Sequence, residues 1–370
     1  MRENVKMEVA FEIITMRIAL AIENNNIEEV QTLNNERKQL YEGNEKIFKK
    51  IYEQYSKEIK AKIAPKKITN AEIEKIKEKY TLTEEELEEM YKKARDLIIG
   101  DCQPAKGTPT AIVTGGQPGA GKIGLVLKSK RDMMERNKET VIIDSDAYRG
   151  LYKNSMEIAS KYPELYSEIT DKATGKITKR LLQEVVDNGY NFIFEGIMGK
   201  IDIIETLEQA PHKYDIIARL MATSRAESLL SIFERYIVML ENMGIGRLAT
   251  IDAHNTRYNN FTEVAKVLEN RNVEVEVYER TRNYTEIGKP IMIYKTSREA
   301  NNFKTVEDAL CEGRKKSYEL CFDNNIKERL EIINKDLKQL SENNQNIENE
   351  LKNLNQIFMS EFLNNMGDNI

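Results

Sequence analysis

Residues 116–123 read Gly-Gln-Pro-Gly-Ala-Gly-Lys-Ile. Glycines at this spacing let backbone N–H groups turn inward around phosphate oxygens, and a lysine after the last glycine reaches the terminal phosphates. Gly116, Gln117, Pro118, Gly119, Ala120, Gly121, Lys122 and Ile123 therefore form a candidate nucleotide-binding segment. The position after the lysine ordinarily carries Ser or Thr, whose hydroxyl holds the magnesium ion of the nucleotide. Isoleucine supplies no such oxygen, so a metal here has to be held by nucleotide oxygens, water and nearby carboxylates, or bind poorly.

Charged residues recur at the ends of later apolar runs. In "IIDSDAYR", residues 142–149, Asp146 is a candidate general base on an acceptor hydroxyl, and Asp144 a candidate to hold metal or orient the loop. Glu195 closes "NFIFEG" in the same way. Phosphoryl transfer needs cations around the transferred group, and Arg235 in "FERY" and Arg247 in "GRLATIDAHN" are the candidates. Each residue also has a plainer reading, the carboxylates as helix caps and the arginines as solvated or ion-paired surface residues.

The elements that must position these groups read as alternating strands and helices. "TAIVT" (110–114), "VIID" (141–144), "NFIFEG" (191–196), "DIIARLMA" (215–222), "VEVEVYE" (273–279) and "IMIYK" (291–295) are short apolar runs separated by helix-length segments. That texture predicts a mainly parallel sheet covered on both faces, with the loop joining the first strand to a helix that begins near Lys122. Ligands of such sheets sit at the carboxyl ends of the strands, where Asp144, Asp146 and Glu195 fall.

Both ends of the chain are helical in pattern. Residues 1–63 predict three helices; the first carries a narrow polar face of Glu8, Glu12 and Thr15 and is otherwise apolar nearly all round, so it needs partners on several sides. Pro65 ends the third. Two further helices open at Asn70 and Thr83, the latter with the Thr83–Glu86 spacing of a capping box, and the second stops at Gly100. From about Thr305 to Leu363, Ile332, Ile333, Leu337, Leu340, Ile347, Leu351, Leu354 and Ile357 recur three, four or seven apart, interrupted by asparagines. That pattern suits a helical appendage on its own domain or a seam for self-association or a partner.

Composition excludes several classes. The 370 residues carry a net charge of −5 and are 32% charged, and mean hydropathy is −0.58, so there is no global attraction to nucleic acid or to anionic lipid. The N-terminal apolar stretch is broken by Glu8, Glu12 and Arg17 and neither spans a membrane nor resembles a secretion signal; the mature chain is expected to begin near Met1. Three scattered cysteines and two distant histidines give neither a disulfide framework nor a zinc site, which fits a reducing, cytoplasmic setting.

Taken together, "PTAIVTGGQPGAGK", "VIIDSDAYR", "NGYNFIFEG", "FERY" and "GRLATIDAH", in this order and at these intervals, resemble the zeta toxin family, the toxin half of epsilon/zeta toxin–antitoxin systems. The resemblance covers roughly residues 65–300. It implies a P-loop kinase fold that uses ATP and magnesium (Mg2+) to phosphorylate the 3′-hydroxyl of the sugar of UDP-N-acetylglucosamine, a nucleotide-sugar substrate, and so to block peptidoglycan synthesis. By the same resemblance Lys122 matches the phosphate-loop lysine, Asp146 the catalytic base, Glu195 a substrate-binding carboxylate, and Arg235 and Arg247 the arginines on the transferring phosphate. Arg149, in the Asp-x-Asp-x-x-Arg block, is a further candidate substrate contact. The chain departs from the pattern at Ile123 and in "EGIMGK", where Ile197 and Gly199 stand at the family's Thr and Arg positions and Lys200 is one residue further on as a substitute cation. These departures bear on metal binding and on which sugar nucleotide is accepted.

The expected architecture is α/β: an N-terminal helical bundle (1–63), a P-loop kinase-like domain with a mainly parallel sheet and helices on both faces (64–300), and a C-terminal helical or coiled-coil extension (301–370). An epsilon antitoxin is itself a three-helix bundle whose helix blocks the nucleotide site. An epsilon-like partner is therefore expected either in cis, as residues 1–63, or in trans. Two alternatives stay open: a P-loop protein that binds nucleotide or a partner without transferring phosphate, which Ile123 favours, and a kinase for another nucleotide acceptor.

Overall fold

The apolar runs become strands within a residue or two of their expected limits: β1 (Thr110–Gly115), β2 (Val141–Ile143), β3 (Phe192–Glu195), β4 (Asp215–Met221), β5 (Glu274–Glu279) and β6 (Ile291–Lys295). The computed structural model describes residues 3–62, 66, 68–163, 165–196, 198, 201–271, 273–280, 289–297, 302–323, 326–340 and 345–367. Pro65 lies outside them. Among the described residues the strands form one sheet in the order β2-β3-β1-β4-β5-β6, parallel except for the antiparallel edge strand β6. Every residue of β1 is buried; because side chains alternate between faces, both faces of the central strand are covered. Parallel register pairs Thr114 with Glu195 and Ile143 with Phe194, which sets the ends of β1, β2 and β3 side by side.

Ahead of the sheet come α1 (Glu3–Glu23), α2 (Ile27–Tyr41), α3 (Glu45–Lys50) and α4 (Ser56–Lys60), the last two joined by a π-helical stretch, Ile51–Tyr55. Next are α5 (Asn70–Tyr80) and α6 (Glu84–Ile98), each opened by a capping box, Thr69 with Glu72 and Thr83 with Glu86. Within the sheet region lie α7 (Ile123–Glu135), α8 (Ser155–Lys161), α9 (Tyr166–Asp187), α10 (Asp202–Glu208), α11 (Arg225–Met243) and α12 (Ile251–Glu269), with a 3-10 turn at Ser145–Leu151. The C-terminal helices are α13 (Val306–Asp323), α14 (Ile326–Leu340) and α15 (Gln345–Gly367).

The all-round apolar character of α1 is explained by its surroundings: it packs against α2, the π-helical stretch, the 3-10 turn and α11. Val9, Ile13, Ile14 and Ile18 are at most 1% exposed. Approach to the 3-10 turn is close enough that a Cβ at Gly150 would lie 2.7 Å from the Thr15 carbonyl oxygen. A side chain there would force α1 outward.

The C-terminal seam is used within the chain. Ile333, Leu337, Leu351, Leu354 and Phe358 are buried with Leu229, Leu230, Phe233 and Ile237 of α11 in one core. The interrupting asparagines are partly accounted for as well, since Asn334 and Asn355 exchange reciprocal side-chain hydrogen bonds of 2.9 and 2.8 Å between α14 and α15.

Candidate functional site

The loop after β1 turns on glycines whose conformation and surroundings tolerate nothing larger. Gly119 (φ +74°) and Gly121 (φ +86°) are left-handed, and a Cβ on Gly119 would stand 2.1 Å from the Ser228 carbonyl oxygen. Fully buried Gln117 fixes the loop to the start of α11: its Nε2 donates to the Thr223 carbonyl (2.8 Å) and to Ser228 Oγ (3.2 Å). Thr223 Oγ1 returns a bond to the Ala120 carbonyl (2.8 Å). Gln117 thus docks the loop to the protein, while Pro118, Gly119, Gly121, Lys122 and Ile123 line a cavity of about 740 Å³. Loss of solvent lowers the Lys122 pKa, and the positive Arg235 adds to this against the opposing charges of Glu195 and Glu8.

Asp144 and Asp146 enter the same cavity from the end of β2. Asp144 caps the 3-10 turn, accepting the Asp146 N–H at 2.9 Å on one oxygen, and receives the Tyr41 hydroxyl at 2.9 Å on the other. Burial, then the charge of Asp146, raises its pKa. Asp146 shows the reverse balance. Desolvation favours its neutral form, yet Arg247 and Arg149 hold its pKa far below the usual carboxylate range. Arg247 grips it with two bonds, Nη1 to Oδ1 at 2.9 Å and Nη2 to Oδ2 at 2.7 Å. Arg149 Nε reaches it at 3.2 Å, and Arg149 Nη1 goes to Asp171 at 2.6 Å and to Thr170, so Nε and Nη1 of this cavity-lining arginine hold Asp146 and α9. Glu195 lines the cavity at the end of β3, and burial together with Asp144 raises its pKa well above the ordinary value.

Arg235 and Arg247 complete the lining, and each retains a buried Nε–H without an acceptor. Such orphaned donors on cavity-lining guanidiniums suit an anion. Their other contacts come from α1: Arg235 Nη1 meets Glu8 at 3.4 Å, and Arg247 Nη2 is paired with Glu12. The narrow polar face of the first helix therefore lies on the cationic side of the cavity, where Tyr41 and Arg37 of α2 also line it.

All of the expected residues that the structure describes are accordingly in or beside one cavity, with Gln117 and Ala120 behind the loop. Lys200, Ile197 and Gly199 lie outside the described residues. Among the described residues there is no group of three or more His, Cys, Asp or Glu side chains arranged to hold a metal ion. Ile123 is 8% exposed and packs into the apolar core, and Asp144 has both oxygens engaged. Sequence reasoning missed Arg257 and the polar side of α9, where Ser167, Asp171, Thr174 and Thr178 line the cavity. Their spacing of three and four along a predicted helix was the available signal.

A family model described as zeta toxin matches residues 95–297, more than half of the chain. Toxin PezT of Streptococcus pneumoniae serotype 4 (strain ATCC BAA-334 / TIGR4) is 28% identical over 180 residues, 47% of this chain and 70% of that protein. Toxin zeta of Streptococcus pyogenes is 29% identical over 146 residues, 39% of this chain; the match spans about half of that relative, 49% of its length. In fold, the chain is similar to a structure from the PezAT chromosomal toxin-antitoxin system of Streptococcus pneumoniae, with a TM-score of 0.51 at 22% identity over 70% of this chain and 98% of that one. No described helix is long and apolar enough to cross a membrane.

Proposed function

The chain belongs to the zeta toxin family, and from that premise we propose that it is a P-loop phosphotransferase that moves the terminal phosphoryl group of ATP to a sugar hydroxyl of a nucleotide sugar, and that residues 1–63 hold it inactive. The observation that carries this reading is the convergence of Lys122, Asp146, Arg235 and Arg247 on one cavity, with the two guanidiniums each keeping an unpaired buried N–H. UDP-N-acetylglucosamine, phosphorylated on its 3′-hydroxyl, is the acceptor that the family resemblance suggests, with arrest of peptidoglycan synthesis as the consequence.

In this mechanism the backbone of residues 116–123 and Lys122 hold the donor phosphates. Arg235 and Arg247 neutralise charge on the group in flight, which is where positive charge lowers the barrier most. Asp146 stays ionised because Arg247 and Arg149 favour its charge, so it accepts a hydrogen bond from the attacking hydroxyl and orients it; a carboxylate this weakly basic is suited to a loose transition state that needs little early proton removal. Glu195, at the end of β3 on the cavity wall, offers its carboxyl group to sugar hydroxyls. Lys200, five residues further along the sequence, is a candidate substrate cation. Magnesium would be held by phosphate oxygens and, once Tyr41 withdraws, by the Asp144 oxygen that its hydroxyl now engages, and would neutralise the donor's charge there.

Inhibition follows from the same contacts. Glu8 and Glu12 put carboxylates against the two arginines that a phosphoryl group needs, and Tyr41 occupies Asp144. The bundle then acts in cis as an epsilon antitoxin acts as a separate chain; an antitoxin in trans is the other arrangement, for which the PezAT toxin–antitoxin neighbour is the precedent. A second reading, nucleotide or partner binding without transfer, is favoured by Ile123 and by the engagement of both Asp144 oxygens. The deciding test is ATP consumption against a panel of UDP-sugars in the presence of magnesium, with the full chain and with its Glu8→Gln/Glu12→Gln variant. Sugar-dependent consumption by the variant supports transfer. ATP binding without consumption by either protein supports the second reading.

A further inference from the structure

The C-terminal helices lie beyond the residues that the family model matches, yet one of their side chains is buried in a charged cluster behind the phosphate loop. Arg329 of α14 is 8% exposed and inserts between two acids of α11, with Nη1 2.5 Å from Glu227 and Nε 3.1 Å from Glu234. Glu227 also accepts from Arg280 Nη1 at 3.0 Å, and Arg280 Nη1 lies 3.0 Å from Ser231 Oγ. Arg280 stands at the end of β5 and runs along the outer side of the loop: a Cβ on Gly121 would meet its Nε at 3.0 Å and its Cζ at 3.4 Å. Two cations and two anions thus alternate from the C-terminal extension to the loop glycine that precedes Lys122.

We propose that Arg329, Glu227 and Arg280 are positioning residues through which helix α14 holds the phosphate loop in its nucleotide-binding shape. The physical reason is the requirement of buried charges for compensation. Glu234 is 5% exposed, so removing Arg329 takes a guanidinium from both acids of α11 at once, and Arg280 is drawn from Gly121 toward the vacated position. None of the three residues lines the nucleotide cavity, so their effect reaches the ligand only through the loop.

This inference rests on the reading of residues 116–123 as a nucleotide site, and the test separates the two. In the full chain, amide hydrogen exchange is followed for peptides covering residues 116–124 in the parent, Arg329→Met, Arg280→Met and the double variant, with MgATP affinity measured on the same proteins. Each single variant should speed exchange in the loop about tenfold, the scale of a coupling between neighbouring charged groups, and the double variant no further, while peptides of β1 and β4 keep their protection. MgATP affinity should fall in parallel without a matching loss of thermal stability in Arg280→Met. Loop exchange unchanged in Arg329→Met, or effects of the two single variants that add, overturns the proposal. If Arg329→Met does not fold, Glu227→Gln takes its place with the same expected and contrary outcomes, since it cuts the chain of contacts while leaving the Arg329–Glu234 pair. A parent that binds no nucleotide, even with Glu8→Gln/Glu12→Gln, defeats the reading of the site, and loop exchange still decides the inference.

Discussion

The N-terminal and C-terminal regions are both helical in pattern, yet they meet the candidate site differently. Helices α1 and α2 touch the candidate site groups themselves: Glu8 on Arg235, Glu12 on Arg247, Tyr41 on Asp144. Among the described residues no hydrogen bond or ion pair joins α13–α15 to these groups, and the three helices share an apolar core with α11, on which Arg235 is carried. One helical region brings carboxylates to the cavity's two arginines, and the other brings a cation, Arg329, to Glu227 and Glu234 of α11. On the proposed reading, the sign of the buried charge separates a part that would compete with the ligand from a part that would support its site.

Substitutions at the charged contacts put this contrast under the greatest strain. Asp146→Asn should have the largest effect, a loss of about a hundred- to ten-thousandfold in turnover with little change in ATP affinity, because the loop and Lys122 carry the nucleotide. Unaltered turnover removes Asp146 from the mechanism. Ile123→Thr should raise transfer by up to about a hundred- to thousandfold, the scale of one restored contact to a developing charge, and move ATP affinity only modestly; a rate unchanged in the variant places the shortfall elsewhere.

Glu8→Gln/Glu12→Gln should raise MgATP affinity by about tenfold or more, since the two arginines lose their internal anions. Gly150→Val refines that result without altering any charge, because its side chain collides with the Thr15 carbonyl and moves α1 away. If both variants increase affinity, occlusion by α1 is established; if only the glutamine pair does, the effect is electrostatic. Leu354→Ala, on the C-terminal side, should cost about 2–5 kcal/mol of stability on denaturant unfolding with the MgATP affinity of the folded protein preserved, since it removes apolar packing and none of the charged contacts of Arg329.

The smallest expected effect is a pH dependence. The folded-state pKa of Glu195 is raised, so its contribution to stability is present below its unfolded value near 4.5 and is lost as pH rises through the folded value. Glu195→Gln should therefore gain thermal stability relative to the parent at neutral to alkaline pH and lose that gain near pH 4. A gain independent of pH contradicts the raised pKa.

Much of this organisation could be read in the sequence, for local reasons. Strand period, the glycine spacing and the position of acids at strand ends are set by neighbouring residues, and they located the sheet, the loop and the set from Lys122 to Arg247. What escaped was non-local. Glu8 and Glu12 were visible as a polar face, but their partners lie 227 and 235 residues away. Arg329 has the look of a surface position in a heptad pattern, and only the acids of α11 reveal it as buried. Asn334 and Asn355 look in sequence like weak points of a coiled-coil seam, whereas their reciprocal hydrogen bonds join α14 to α15. Asp144 combined both kinds of information: the cap was local and legible, the Tyr41 hydroxyl was not.

Phosphoryl transfer, and its restraint by α1, can be read together by phosphorus-31 NMR of the full chain with Glu8→Gln/Glu12→Gln, incubated with ATP, magnesium and UDP-N-acetylglucosamine. A new phosphomonoester resonance on the sugar should grow as ATP is consumed and be absent when Asp146→Asn is added. ATP that binds yet yields no phosphomonoester, with this or any other UDP-sugar, contradicts the proposed activity.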